Sequence, residues 1–263
     1  MLFRSGVYFF VKASLSGSII GNVLLVLGLS ALVGGVGRDK QTFSSRMSSM
    51  NSTMLFIAVV ALIMPAVFDL TVYGKLEVEN HRIEMLSLGT AAVLIAIYGL
   101  SLLFSLVTHR AEHKATPATA GQKEMQSTKA ALVSLSIATI LVALLSEMLV
   151  GQIEAAKQAM GVSDLFMGVI VIAIIGNAAE HGTAVLMARR DRMNLAMSIA
   201  IGSSSQIALF VAPVLVFAAW AMGTPMSLVF TPFEIAGIAL AVLIVEMISS
   251  DGETTRFEGA ELS

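Results

Sequence analysis

LFMGVIVIAIIGNAAEHGTAVLMARR, residues 165–190, is the stretch on which the reading of this chain turns. Its first half is unbroken apolar sequence, its second half sets Asn177, Glu180 and His181 among apolar residues, and it closes on Arg189 and Arg190. A helix needs about 20 mostly apolar residues to cross the hydrocarbon of a bilayer, and Leu165 to Met187 supplies them. An ionisable group inside such a segment costs about 2.5–3.5 kcal/mol on insertion scales, so by default it marks an ion or proton pathway. Gly176 and Asn177 loosen the helix just before the acid, freeing carbonyls that could join a carboxylate around a hard cation. Asn177 and Glu180 are three residues apart and share a face. Glu180 and His181 are adjacent and diverge by roughly a hundred degrees, which makes His181 a neighbour of a site rather than a fellow ligand.

Working outward, the remaining sequence is of the same kind. The chain of 263 residues is 56% apolar and 13% charged, more apolar than one soluble core of this length can hide. Seven stretches are long enough to cross: Ala13–Val36, Met54–Tyr73, Met85–Val107, Ala130–Val150, Leu165–Met187, Leu195–Met222 and Val229–Ile248. The fold class is therefore all-α, a polytopic transmembrane helix bundle. Many glycines and methionines and few aromatics suit close helix contacts better than the alternating strands of a barrel. No nucleic-acid face is visible, and the absence of cysteine removes disulfides and thiolate metal sites. Neither GxSxG nor HExxH occurs, which argues against an intramembrane hydrolase and for a protein that is not an enzyme.

Lys and Arg divide unequally between the loops on alternate sides. One side collects Arg38, Lys40, Arg46, Arg110, Lys114, Lys123, Lys129, Arg189, Arg190, Arg192 and Arg256; the other has Arg4, Lys12, Lys75, Arg82 and Lys157. The positive-inside rule puts the first group, including the short Arg189–Arg192 loop, in the cytoplasm. The stretch THRAEHKATPATAGQKEMQST, from Thr108 to Thr128, is polar and aperiodic, and it divides the chain into residues 1–107, a cytoplasmic linker 108–129, and residues 130–263.

The two halves carry a weak internal repeat. GSIIGNVLLVLG (Gly17–Gly28) lies on GSSSQIALFVAP (Gly202–Pro213), pairing Gly17 with Gly202, Ser18 with Ser203, Leu24 with Leu209 and Val26 with Val211. These stretches are five crossings apart, so they run in opposite directions and the repeat is inverted. The pairing leaves two helices to be expected before Met1 and one after Ser263. On that count residues 1–107 are a partial first repeat of three helices, and 130–263 a second repeat of four lacking its last. In the sixth segment Gly202-Ser203-Ser204-Ser205-Gln206 is a dense polar patch of hard oxygen ligands or water holders, with a kink expected at Pro213. Ser18 and Asn22 are the weaker counterparts in the first segment. Simpler roles stay open. Glu180 could pair with an arginine of the next loop, Asn177 and His181 could bridge helices, the serines and the Gly17/Gly21 pair could serve close packing, and Glu147 and Glu246 could reach headgroup water.

GNAAEH (176–181), followed by ARRDRMNLAMSIAIGSSSQIALFVAP (188–213), resembles the calcium/proton antiporter family within the wider group of cation/calcium exchangers. KASLSGSIIGNVLLVLGLSALVGG (12–35) looks like the second part of that family's first repeat, and SSDGETTRFEGA (249–260) like the stretch preceding its last helix. The resemblance implies a ten-helix inverted-repeat exchanger fold, present here as about seven helices, with one essential acid from each repeat. Glu180 matches the second; the first would lie in a GNxxE-type helix upstream of Met1, so missing helices of a longer chain would be needed for a complete ion site. It also implies that Asn177, His181, Ser203, Ser204 and Gln206 line the pathway. Asn194 stands where relatives often carry Asp.

The expected function is secondary active exchange of Ca2+, or other divalent cations, for H+ across a membrane. The expected metal ligands are Glu180, Asn177, Ser203, Ser204 and Gln206, and the expected proton or ion pathway runs through Glu180, His181, Ser18 and Asn22. No cofactor is expected, and the partners are Ca2+, H+ and membrane lipid; a homo-oligomer is left open. A Na+-coupled cation/calcium exchanger is the alternative, ahead of a passive cation channel, which would give no reason for opposed repeats.

Overall fold

A computed structural model describes residues 2–38, 40–74, 76, 81–112 and 128–262. In chain order the helices are α1 (Leu2–Ile20), α2 (Leu27–Gly34), α3 (Ser45–Tyr73), α4 (His81–Glu112), α5 (Thr128–Met160), α6 (Asp164–Phe166), α7 (Ala173–Gly176), α8 (Ala178–Arg189), α9 (Met193–Gln206), α10 (Ala212–Ala221), α11 (Pro232–Asp251) and α12 (Arg256–Leu262). Three joints between consecutive helices are wider π-helical turns: Gly21–Val26 between α1 and α2, Met167–Ile172 between α6 and α7, and Ile207–Val211 between α9 and α10. Two-residue strands β1 (Gln41–Thr42) and β2 (Glu253–Thr254) pair antiparallel. Leu103–Asp164 forms a separate unit with the end of α4 and α5; Met1–Leu102 and Leu165–Ser263 together form the unit that holds the polar residues of interest.

Among the described residues, six helical stretches are long and apolar enough to cross a membrane: Tyr8–Gly34, Ser45–Tyr73, His81–Phe104, Leu132–Ile153, Met193–Ala221 and Pro232–Ser250. A seventh is a broken pair, Met167–Gly176 and Ala178–Arg189, bent by 62°. The break falls at Gly176–Asn177, as the sequence predicts. Asn177 leaves helical geometry at φ −107°, ψ 12°, the region where a turn ends and another can begin.

Several boundaries differ from the hydropathy reading. α3 starts at Ser45 rather than Met54, because Ser44 caps it by accepting from the Met47 amide and the polar residues that follow are helical. The polar linker is helical at both ends, since α4 continues through Glu112 and α5 begins at Thr128; residues 113–127 lie outside the described residues. At Pro213 the chain stays within one span. The ring follows directly on the wide turn Ile207–Val211, where the ordinary hydrogen-bond ladder is already interrupted.

The core of the larger unit is built largely from small residues. Ala31, Ala58, Ala184, Ala188, Ala196, Ala200, Ala208 and Ala212 are all buried beside Leu27, Leu55, Leu62 and Ile201. In a bilayer, close backbone approach substitutes for the hydrophobic drive that water would supply. Gly17 shows why. A methyl placed there would lie 2.5 Å from the Val169 Cα and 2.7 Å from its carbonyl carbon, well inside contact distance, so only glycine lets α1 lie against the turn Met167–Ile172. Gly21, the other half of the GxxxG pair, has nothing within 4 Å of such a methyl.

α1 and the α9–α10 span run antiparallel: the Tyr8 hydroxyl reaches Thr224 near one end, and Ser204 Oγ meets the Ile19 carbonyl at 3.4 Å in the middle. Ser204 and Ile19 are equivalent in the repeat alignment. Two helices related by a twofold axis meet at equivalent residues where the axis passes between them. The wide turns fall in register as well, for Gly21–Val26 aligns with Gln206–Val211 and the observed turn is Ile207–Val211.

Candidate ion site and its relatives

The polar residues gather where α8 meets the first span and α9. Ser203 Oγ donates to the Ile199 carbonyl at 2.7 Å, so its lone pairs face outward. Asn22 Nδ2 donates to that oxygen at 3.0 Å, and Asn22 Oδ1 lies 2.9 Å from His181 Nε2. An amide oxygen can only accept, so in this arrangement His181 Nε2 carries the hydrogen. The result is a directional chain, His181 to Asn22 to Ser203 to Ile199, tying three elements together at a residue, Asn22, that is 1% exposed. The wide turn starting at Gly21 sits at this joint, a common place for π-turns.

A second tie runs alongside. Asn177 Nδ2 donates to Ser18 Oγ and to the Ala173 carbonyl, both at 2.8 Å. This leaves Asn177 Oδ1 without a described partner, three residues before Glu180 at the start of α8. Ser18 and Ser203, equivalent in the repeat, thus play the same part: each accepts from an asparagine on a facing element.

Glu180 occupies the first turn of α8, where the helix dipole favours a carboxylate. It is exposed, and no hydrogen bond or ion pair reaches it among the described residues. Gln206, at the end of α9, is likewise exposed, whereas Ser204 is fully buried and donates to the Ala200 and Ile19 carbonyls. The predicted residues therefore fall into three sets: Ser18, Asn22, Asn177, His181 and Ser203 are tied by side-chain hydrogen bonds between elements, Ser204 is buried against backbone carbonyls, and Glu180 and Gln206 are exposed. Among the described residues no group of three or more His, Asp or Glu is placed to hold a metal. A cavity of about 380 Å3 lies along this joint, lined mainly by apolar residues such as Leu24, Val169 and Ala173, with Ser18 and His181 as its polar walls.

Sequence reasoning passed over a further polar layer. Lys12 Nζ donates to the Val229 carbonyl at 2.8 Å, and Ser16 Oγ donates to Glu234 Oε1 at 2.8 Å. Glu234 is 3% exposed because it also closes the capping box of α11 with Thr231. Asp69 is fully buried near the end of α3, and neither of its carboxylate oxygens has a partner. A run reading AVFDLTVY at the end of an apolar span gave no sign that its acid would be enclosed.

A helical membrane bundle whose oppositely running spans cross at equivalent residues, beside a broken span bearing a carboxylate, defines a secondary transporter with an inverted-repeat core. The sequence matches the sodium/calcium exchanger protein family over residues 1–107 and 130–262, and the chain belongs to that family. It is similar to a Ca2+/H+ antiporter of Aphanothece halophytica, 41% identical over 98% of this chain and 72% of that protein. It is also similar to the Ca2+/H+ antiporter ChaA of Bacillus subtilis, 42% identical over 98% of this chain and 73% of that protein. Among solved structures it resembles native YfkE, with a TM-score of 0.81 and 40% identity, covering 98% of this chain and 73% of that one. The protein is accordingly an integral, multi-pass membrane protein with an exchanger fold.

Proposed function

We propose that this protein exchanges Ca2+ for H+ across a membrane, with Glu180 as the carboxylate that the two ions share. The observation that carries the reading is the placement of Glu180 one turn after a 62° break in a membrane span, beside an uncommitted Asn177 oxygen. Removal from water favours the protonated form of a carboxyl and a bound divalent cation favours the ionised form, so at one site each ion displaces the other. Coupled exchange follows when the site opens to one side at a time. The relatives named for calcium/proton exchange support this ion pair over sodium coupling.

In this reading the cation is held by Glu180 and Asn177 Oδ1, with Gln206 contributing from α9. Ser203 and Ser204 commit their hydroxyl hydrogens to backbone carbonyls and offer only lone pairs. His181 and Asn22 act as positioning residues, setting the angle of α8 against the first span, and Ser18 does the same for Asn177. The positive-inside bias assigns the Arg189–Arg192 turn and the 108–129 stretch to the cytoplasm. The protein works as a transporter and not as an enzyme.

The test is flux in vesicles reconstituted with the full chain, with gradients imposed one at a time. A calcium gradient drives proton movement, a sodium gradient does not, and Glu180→Gln abolishes the coupled flux while leaving the protein folded. Normal exchange by Glu180→Gln overturns the assignment of that residue. Calcium flux that ignores a pH clamp would instead indicate a passive channel.

A further inference from the structure

α3 and α11 run antiparallel, and two side-chain ties pin their register. Ser45 Oγ donates to the Ser250 carbonyl at 2.8 Å, and about two turns along α3 Thr53 Oγ1 donates to Glu246 Oε1 at 3.4 Å. Between these ties the seam is polar. Ser48 and Ser52 stand on the buried face of α3 at 4% and 0% exposure, and Ser249 stands on the buried face of α11 at 0%. Ser48 falls between Ser45 and Thr53 along α3, and Ser249 between Glu246 and Ser250 along α11, which puts them at the same level of the seam. Ser52 donates to the Ser49 carbonyl. Three oxygens here are enclosed and have no hydrogen-bond partner: Ser48 Oγ, Ser249 Oγ and Glu246 Oε2.

Leaving a buried polar atom unpartnered is costly, and more so for a charged group, so three along one short stretch of the seam call for an occupant. The local charge decides what kind. Among the described residues no ion pair reaches Glu246, and α11 has no basic residue in its last turn to offset the negative end of its dipole. Hard oxygens, one of them anionic, at a helix C-terminus complement a cation. In this enclosed seam one carboxylate with two hydroxyls balances a single positive charge and would leave a divalent ion half-compensated away from water.

We propose that the α3–α11 seam holds a small hard monovalent cation, sodium or potassium, between Glu246, Ser48 and Ser249, with Thr53 orienting the glutamate. This site shares no residue with the Glu180 group and does not depend on the exchange reading. Its occupant would fasten α3 to α11.

Thermal unfolding of the full chain in detergent, in sodium, potassium or N-methylglucamine chloride at fixed ionic strength, tests the proposal. The midpoint rises saturably with sodium or potassium over N-methylglucamine, and the more effective ion identifies the occupant. Glu246→Gln removes the rise, Ser249→Ala weakens half-saturation by roughly tenfold, the equivalent of about 1.4 kcal/mol, and Glu180→Gln leaves it intact. Equal midpoints in all three salts would mean enclosed water only and overturn the proposal. So would a response that survives Glu246→Gln, or, if that variant does not fold, one unchanged in Ser249→Ala. Stabilisation by calcium alone that is lost in Glu246→Gln overturns the monovalent assignment.

Discussion

Gly17 and Gly21 look interchangeable in the sequence, yet the structure gives them opposite tolerances. Gly17→Ala puts a carbon 2.5 Å from the Val169 Cα, where carbon atoms rest about 3.5–4.0 Å apart. α1 and the turn Met167–Ile172 must then separate by about 1 Å, and the 2.8 Å hydrogen bond from Asn177 to Ser18, on the next residue, stretches beyond bonding distance. Overpacking of this kind costs about 1–3 kcal/mol, and the lost bond adds about 0.6 kcal/mol by the membrane-protein average. The sum lowers the thermal midpoint in detergent by roughly 3–14 °C at about 2–4 °C per kcal/mol. Because Asn177 lies beside Glu180, a misplacement of about 1 Å is also expected to slow exchange in vesicles by roughly a hundredfold. Gly21→Ala meets nothing within 4 Å and is expected to stay within about 0.5 kcal/mol of the parent. A Gly17→Ala protein with unchanged midpoint and flux, or a Gly21→Ala protein equally impaired, refutes the idea that contact with Val169 sets the position of Asn177.

Asn22→Leu strands His181 Nε2 and removes the donor to Ser203, which is expected to cost about 1–3 kcal/mol and to reduce calcium-driven proton flux. Adding Ser203→Ala should cost little more, because the two residues belong to one network, and full additivity in the unfolding midpoint would count against it. Asp69→Leu removes two enclosed oxygens that have no partner and is expected to stabilise the protein by about 1–3 kcal/mol. A lower midpoint would reveal a partner for that carboxyl.

The number of spans and the break at Asn177 were legible because hydropathy and a Gly-Asn pair act locally. So was the divergence of Glu180 from His181, a matter of helical angle: one is open and the other faces Asn22. The repeat alignment also gave the opposite running of the first and sixth spans, though not that they meet at Ile19 and Ser204. What the sequence concealed depends on contacts distant along the chain. Lys12 and Ser16 find their acceptors at Val229 and Glu234, and nothing near either end of those pairs announces it. Glu246 reads as a headgroup-level acid until α3 is laid beside it, and the start of α3 at Ser45 reads as loop because its serines are polar, although they face α11. The wide turns leave no compositional trace of their own, since Gly21–Val26 and Ile207–Val211 share Leu24 with Leu209 and Val26 with Val211 but read like any other apolar stretch of a span.

A π-turn is what a helix makes of one surplus residue it cannot discard. Two such turns at matching places in oppositely oriented halves are more simply explained by one insertion than by two.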